Sequence, residues 1–172
     1  MKKLNRKGFT LVELLAVIII LAVVVGITIP TILTATGNAK KKTFSTAAAT
    51  AADWFDRQYQ SYLIGNQDLS QYDAAFASTF FPAGTLVTNI QDAKSLIQNA
   101  GLSSANVDKM VVKFNDNGRS CVMLHANSTG DYKGSGNYKT DKEVTYGGNC
   151  SDTNLTEMYT SINSGTESGK TS

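Results

Sequence analysis

Apolar residues are distributed unevenly along this chain, and the longest apolar run lies close to its start. Residues 9–29 contain one ionisable side chain, Glu13, and end just before Pro30. A helix of these residues would be about 31 Å long at 1.5 Å per residue. Because the hydrocarbon core of a bilayer is about 30 Å thick, the run predicts one membrane-spanning helix. A carboxylate inside such a helix is costly, so Glu13 is a candidate functional residue.

A second apolar pattern, with a different spacing, follows between residues 39 and 63. Its members recur every three or four residues, which is the repeat of an amphipathic helix. They are Phe44, Ala48, Ala51, Phe55, Tyr59 and Tyr62. Gly65-Asn66 is typical of a helix C-terminus. We therefore predict one long N-terminal helix, with a membrane part over residues 9–37 and an amphipathic part over residues 38–65.

Residues 66–108 have the composition of a connecting region with short helices. Ser70 and Asp73 have the spacing of a helix capping box, and Pro82 and Gly84 interrupt the chain. A further short helical face ends near Gly101. It is formed by Ile90, Ala93, Leu96 and Ile97.

Strand signals begin at Lys109. Two β-rich segments, residues 110–114 and 121–125, flank Asn117-Gly118 and predict a hairpin. A third strand is expected at residues 142–146, followed by Gly147-Gly148. We expect a three- or four-stranded antiparallel sheet packed on the long helix, which is an α+β fold. Residues 109–163 are assigned to this sheet and to C-terminal loops, and residues 164–172 to a disordered tail.

The residues at the start of the apolar run form a specific motif. A basic stretch, residues 2–7, precedes Gly8-Phe9-Thr10-Leu11-Val12-Glu13. Together with the apolar helix and Pro30, this arrangement resembles the processing site of type IV pilins and related pseudopilins. The resemblance is specific over residues 1–30. It implies the pilin fold, in which a long N-terminal helix packs on a small antiparallel sheet.

The resemblance also implies roles for individual residues. Residues 1–8 would be a leader, removed by a membrane-embedded aspartyl peptidase (prepilin peptidase) that cuts between Gly8 and Phe9 and methylates the new amine of Phe9. The ammonium of Phe9 would then pair with Glu13 of an adjacent subunit, since leaving either charge alone is costly. Gly26 and Pro30 are places where the helix can loosen or kink.

Simpler interpretations of these residues stay open. Glu13 lies only about 6 Å along a helix from Phe9, so it can sit near the lipid headgroups in any membrane anchor. A kink at Gly26 and Pro30 can likewise belong to a membrane helix of no special purpose.

The function that the resemblance implies is structural, not enzymatic. The chain would be a major pilin, held in the membrane with its N-terminus in the cytoplasm, in agreement with its basic leader. It would polymerise with other pilin subunits through its N-terminal helix into an extracellular type IV pilus (fimbrium). A platform protein and an assembly ATPase would be further partners. The filament would serve adhesion, aggregation, twitching motility or DNA uptake, with a host surface or DNA as its target.

Two alternatives share some of these features. A pseudopilin of a type II secretion or competence system has the same kind of N-terminus. A single-pass anchored binding module would keep its leader and form no filament. A minor pilin at the filament tip is a further variant of the first hypothesis.

Charge removes a competing interpretation. The 16 basic and 14 acidic side chains give a formal charge of +2. Four of the basic residues lie in the predicted leader, which leaves 12 − 14 = −2 for the remaining chain. The mildly basic isoelectric point therefore gives no support for nucleic-acid binding by the mature protein.

The residues that could carry chemistry are few. Cys121 and Cys150 are an even number in an exported chain, which predicts one disulfide, with two buried free thiols as the alternative. His125, the only histidine, has no Ser, Cys or Asp at a recognised motif spacing. No run of acidic residues has the calcium-loop pattern. We predict no catalytic, cofactor or metal site.

Overall fold

The computed structural model of the protein describes residues 9–64, 73–82 and 84–164. The chain divides between Asn38 and Ala39 into two compact units. The second of these, as far as it is described, is called the head below. The elements are α1 (Leu11–Ile64), α2 (Ala74–Phe80), β1 (Gln91–Asp92), a 3₁₀ helix (Lys94–Leu96), β2 (Val107–Phe114), β3 (Ser120–Ala126), β4 (Val144–Gly148) and α3 (Asp152–Ser164).

Several predicted features lie outside the described residues. These are the leader at residues 1–8, the helix end at Gly65-Asn66, Ser70 of the predicted capping box, and residues 165–172 of the predicted tail. Ser164, assigned to that tail, is instead the last residue of α3.

The described part of the first unit, residues 9–38, is almost entirely helical, and its apolar side chains are exposed on every side. Among its large aliphatic residues the exposed fraction runs from 48% at Val25 to 81% at Leu11, and Phe9 is 86% exposed. A helix that is apolar all round needs lipid or other protein as its surroundings. This apolar surface would therefore be unfavourable in water unless lipid or protein covered it.

The head contains a four-stranded antiparallel sheet in the order β1-β2-β3-β4. The predicted hairpin is present, with Val112 of β2 opposite Val122 of β3. Its turn includes Gly118 at φ +69°, where a Cβ would lie 1.8 Å from the ring of Tyr59. Only glycine fits this turn, because both its backbone conformation and the nearby ring exclude a side chain.

One face of the sheet packs on the part of α1 that belongs to the head. The predicted apolar stripe of α1 is buried there, apart from Tyr59, which is only half-buried. Aromatic rings from α2 and the sheet complete this inner core, with Phe55 at ring-centroid distances of 5.4 Å from Phe80 and 6.4 Å from Phe114. The predicted fold class is confirmed. The protein has the α+β arrangement of the pilin fold, a long N-terminal helix on a small antiparallel sheet.

The opposite face of the sheet is covered by α3, where we had predicted only loops. Leu155, Met158 and Ile162 of this helix are buried against Val111 and Met123 of the sheet. The three buried residues are spaced three and four apart, so they form one helical stripe. The Thr-, Ser- and Asn-rich sequence between them hid this stripe, because these residues have weak helix propensity. The sheet is thus enclosed between two helices.

Polar contacts fix α3 to the sheet. Lys109 Nζ donates to the carbonyl of Ile162 at 3.1 Å, and Lys113 pairs with Glu157 at 2.7 Å. The hydroxyl of Tyr159 donates to Asp141 at 2.9 Å. This hydrogen bond to a carboxylate favours the protonated phenol and raises the pKa of Tyr159 above its ordinary value.

The connecting region also differs from its prediction in detail. The expected helical face around Ile90 is split into the two-residue strand β1 and the 3₁₀ helix. Gln91 pairs with Val112, and the N–H of Ala93 donates to the carbonyl of Met110 at 2.9 Å. These backbone hydrogen bonds to β2 replace those of a helix. Ala93, Leu96 and Ile97 are nevertheless buried in the inner core, as an apolar face should be.

The last strand lies two residues later than predicted and includes both glycines. In β4, Gly147 pairs with Val122, and a Cβ on Gly147 would lie 2.4 Å from the backbone nitrogen of Ala49. The strand therefore approaches the backbone of α1 more closely than any side chain would allow. Small residues on α1, Ala48 and Ala52, make room for this contact.

Candidate processing and assembly site

The helix α1 begins with a reciprocal pair of hydrogen bonds between Thr10 and Glu13. The backbone N–H and the hydroxyl of Thr10 each donate to Glu13 Oε2 at 2.8 Å. The backbone N–H of Glu13 donates to Thr10 Oγ1 at 3.3 Å. This is a capping box, which satisfies two backbone donors that the first turn of a helix otherwise leaves unpaired.

The capping role of Thr10 is not among the predictions above, although the sequence carries a signal for it. Thr10-Leu11-Val12-Glu13 has the S/T-x-x-E spacing of a capping box. We had interpreted Glu13 only as a charge. The structure gives it a second role, which is to fix the start of the helix two residues after the predicted cut at Gly8-Phe9.

The capping box leaves part of the carboxylate available. Both hydrogen bonds from Thr10 fall on Oε2, and among the described residues Oε1 of Glu13 accepts none. Glu13 is exposed, as is Phe9. A carboxylate held at one oxygen and open at the other can accept a hydrogen bond from an external ammonium. The Phe9–Glu13 pair between subunits stays a prediction, because it requires a second chain and a free Phe9 amine.

The segment that follows is suited to a membrane. Within the described residues, α1 is the one helix long and apolar enough to cross a bilayer, and its most apolar stretch lies near the N-terminus with none of its surface buried. The membrane span at residues 9–37 stays a prediction.

Pro30 lies inside α1, which stays helical on both sides of it. Proline has no N–H to donate to the carbonyl of Gly26, so one helical hydrogen bond is missing at this point. Threonine hydroxyls on either side donate back to carbonyls one turn earlier. The pairs are Thr28 to Val24 at 2.9 Å, Thr31 to Ile27 at 3.0 Å, Thr34 to Pro30 at 3.0 Å and Thr36 to Ile32 at 2.8 Å.

These bonds satisfy the threonine hydroxyls locally, so four polar side chains can enter an apolar environment. Whether the helix kinks at Gly26 and Pro30 stays a prediction.

Comparison with known protein families supports this interpretation of the N-terminus. The family model for the prokaryotic N-terminal methylation motif, the type IV prepilin signal, matches residues 3–29. That interval covers the basic stretch, the Gly8-Phe9 junction, the capping box and the apolar helix. The chain is a type IV pilin-like protein. No curated protein and no solved structure matches it.

The motif supports a relationship to the type IV pilins and pseudopilins, a family of structural subunits. It implies processing by a prepilin peptidase, followed by assembly. The motif and the apolar helix also fit anchoring in a membrane before assembly.

In the head of this pilin-like protein, Cys121 and Cys150 form a disulfide. Cys121 lies on β3, and Cys150 precedes α3 by two residues. The bond therefore ties the start of α3 to the middle of the sheet. Free thiols, the alternative left open by the sequence, do not occur among the described residues.

His125 has a partner that spacing alone did not reveal. Its Nδ1 lies 2.7 Å from Asp108 Oδ1, where a bulge in β2 shifts the register between Val107 and Lys109. Over the described ranges, no three His, Cys, Asp or Glu side chains group closely enough to hold a metal ion. The pair therefore joins β2 to β3.

Proposed function

We propose that this chain is the prepilin of a major type IV pilin. Residues 1–8 are removed between Gly8 and Phe9, Phe9 is methylated, and residues 9–37 hold the subunit in the membrane. Subunits then leave the bilayer and polymerise through this helix into an extracellular filament. A prepilin peptidase, a membrane platform protein and an assembly ATPase carry out these steps.

The observation that carries the proposal is the prepilin signal at residues 3–29 joined to an uncovered apolar helix. A predicted cut at Gly8 lies before the apolar segment, so the mature protein keeps it, whereas an ordinary secretory signal loses its apolar region. An apolar surface that the head does not cover must pack on lipid and then on other copies. Polymerisation supplies that second environment.

The capping box sharpens the proposed role of Glu13. Removal of residues 1–8 would create an ammonium on Phe9, next to a helix start where Thr10 already orients the carboxylate. An oriented carboxylate loses less freedom when it pairs with the ammonium of another subunit. In apolar surroundings the pair would penalise any register that leaves either charge alone.

The work of the filament is proposed as adhesion, aggregation, twitching motility or DNA uptake, through contact with a host surface or DNA. The predicted boundaries of the remaining parts belong to the same proposal: an amphipathic half-helix at 38–65, a connecting region at 66–108 and the sheet region at 109–163.

Variants at the capping box test the proposal by separating charge from helix capping. Glu13→Gln removes the charge, but glutamine also serves at this position of a capping box. Thr10→Val removes the capping hydroxyl and keeps the charge. Thr10→Ser, which keeps the hydroxyl, is the matched control. Each variant replaces the wild-type protein in cells that otherwise assemble the filament. The protein sheared from the cell surface is then quantified.

We expect Glu13→Gln to be processed normally, to remain in the membrane and to yield at least about tenfold less sheared filament, as for loss of a charged contact worth more than about 1.4 kcal/mol. Thr10→Val should reduce the yield less, and Thr10→Ser should match the wild type. Normal filament yield from Glu13→Gln would contradict the ion-pair mechanism of assembly.

A further inference from the structure

The head contains a polar cleft of about 410 Å³ that the assembly of a filament does not explain. It lies where β1 and the residues before it diverge from the end of β2. Thr88 and Asn89 line one side, and Lys113 and Asp116 line another. Asn154, in the first turn of α3, closes the third side. Its volume is within the range of small-ligand sites, about 300–1,000 Å³.

Four of the lining side chains have no partner in the part of the chain that the structure describes. Among the residues that the structure describes, the side chains of Thr88, Asn89, Asp116 and Asn154 make no hydrogen bond or ion pair. They come from three segments far apart in the sequence. The fold thus brings two amides, a hydroxyl and a carboxylate to one opening. Thr88, Asn89 and Asp116 are exposed there and Asn154 is half-buried, so their hydrogen-bonding groups are accessible to a ligand from solvent.

The framework beneath these groups is fixed. Asn115 Oδ1 accepts from the backbone N–H groups of Asn117 at 3.2 Å and Arg119 at 2.9 Å, which holds the hairpin turn beside Asp116. The Nδ2 of Asn115 donates to Asn149 Oδ1 at 3.3 Å. A turn held in this way presents Asp116 from a defined position.

Charge narrows the class of ligand. Lys113 is the one cation among the lining residues, and its Nζ pairs with Glu157 at 2.7 Å. Asp116 then leaves the cleft with an excess of negative charge, which disfavours phosphates and carboxylates. A single lining carboxylate beside an ammonium is also a poor site for a hard cation, which takes six or more oxygen ligands when it is Ca²⁺.

We propose that this cleft binds a neutral saccharide. A sugar hydroxyl both donates and accepts hydrogen bonds, and so does each asparagine amide, while a carboxylate accepts from hydroxyls. Asn89, Asn154 and Asp116 therefore complement neighbouring hydroxyls of one sugar ring. The site is formed within a single head, so saccharide binding does not depend on the proposed filament.

The test uses the full chain, labelled with ¹⁵N, in a detergent without a sugar headgroup, because a maltoside would occupy the site. Three probes are titrated separately: methyl α-D-glucopyranoside, methyl β-D-galactopyranoside and methyl N-acetyl-β-D-glucosaminide. The signals followed are the side-chain amides of Asn89 and Asn154. We expect saturable shifts of both amides with at least one probe.

Two variants assign the binding to the cleft. The double variant Asn89→Ala with Asp116→Ala should weaken binding by about tenfold or more, with unchanged Trp54 fluorescence as evidence that the head is folded. Gln98→Ala, which removes an exposed amide elsewhere in the head, is the matched control and should bind as the wild type does. The proposal is overturned if no probe gives saturable shifts, if binding survives the double variant, or if Ca²⁺ or inorganic phosphate shifts these amides and no sugar does.

Discussion

The carboxylate of Asp56 joins the long helix to the sheet. Its Oδ1 accepts from the backbone N–H of Ser120 at 2.7 Å, and its Oδ2 accepts from Arg119 at 3.0 Å. The hydroxyl of Ser120 lies 2.7 Å from Oδ1 and 2.9 Å from the carbonyl oxygen of Ala52, and it donates its single proton to one of the two at a time. Ser120 is fully buried, so its N–H cannot turn to water instead. Removing one partner of a buried polar group leaves the other unpaired, which costs more than the bond itself contributes.

Asp56→Ala should therefore lower the free energy of unfolding by about 2–3 kcal/mol. The measurement is urea unfolding of the full chain in detergent, monitored by the fluorescence of Trp54. The centroid of its ring lies 4.8 Å from that of Phe55 and 5.8 Å from that of Phe76. Asp53→Ala is the matched control, since Asp53 is exposed on the same helix. A loss no larger than that of the control would show that these hydrogen bonds do not hold α1 to the sheet.

Only some of the contacts between individual residues could be predicted from the sequence. The contact between Thr10 and Glu13 could have been predicted, because both residues lie in one turn of one helix. The contact between Asp56 and Ser120 could not, because 64 positions separate them and no local pattern links a helix carboxylate to a strand. The same holds for Asp108 and His125, which meet only through the pairing of β2 with β3.

Among the elements, α3 is tied to the sheet by a disulfide just before its start as well as by its own packing. The bond closes a loop of 29 residues and enters β3 at Cys121. On the chain-entropy model such a loop stabilises a fold by about 3–4 kcal/mol. The contacts of α3 beyond it are one buried stripe and a few polar pairs.

Replacing both cysteines by serine should lower the free energy of unfolding by about 3–4 kcal/mol. It should also speed amide hydrogen exchange in α3 more than in β2 or β3, because α3 is the element that the bond ties down. The wild-type protein reduced with dithiothreitol, in which the bond is broken and both sulfurs remain, is the control for the loss of the sulfurs. Equal protection of α3 with and without the bond would contradict this account of the helix.

The contact between β4 and α1 depends on Gly147. A methyl group there would meet the backbone of Ala48 and Ala49, which cannot rotate away as a side chain can. We expect Gly147→Ala to cost about 1–3 kcal/mol, as overpacked cores do, in the same urea assay.

Gly37→Ala is the control for this substitution, because nothing lies within 4 Å of its added Cβ and Gly37 lies inside α1. It should leave stability unchanged or raise it by up to about 1 kcal/mol. If Gly147→Ala were as harmless as Gly37→Ala, the close approach of strand and helix would not be a constraint.

Long or strongly patterned elements were predictable from the sequence, and short ones were not. The stripe of α1 and the β2–β3 hairpin have many residues that point to one structure. In contrast, β1 has two residues, and its place is set by its hydrogen bonds to β2. The stripe of α3 was visible in Leu155, Met158 and Ile162, but weak helix formers surround it.

For the molecule as a whole, the two units differ in whether their apolar residues are buried or exposed. The head buries its apolar residues in two clusters on the two faces of one sheet. The N-terminal unit exposes its apolar residues throughout. The apolar surface of the N-terminal unit needs surroundings other than water, and the prepilin signal at residues 3–29 fits a membrane as one of them. The proposed membrane storage and later polymerisation would supply that environment.

The most direct test of this account is mass spectrometry of the N-terminal peptide in protein sheared from the surface of expressing cells. We predict a peptide that begins at N-methylated Phe9, with residues 1–8 absent. Processed protein confined to the cell envelope would instead favour a pseudopilin. A peptide that still carries Lys2 to Gly8 would contradict the proposed processing and leave an anchored binding module as the better account.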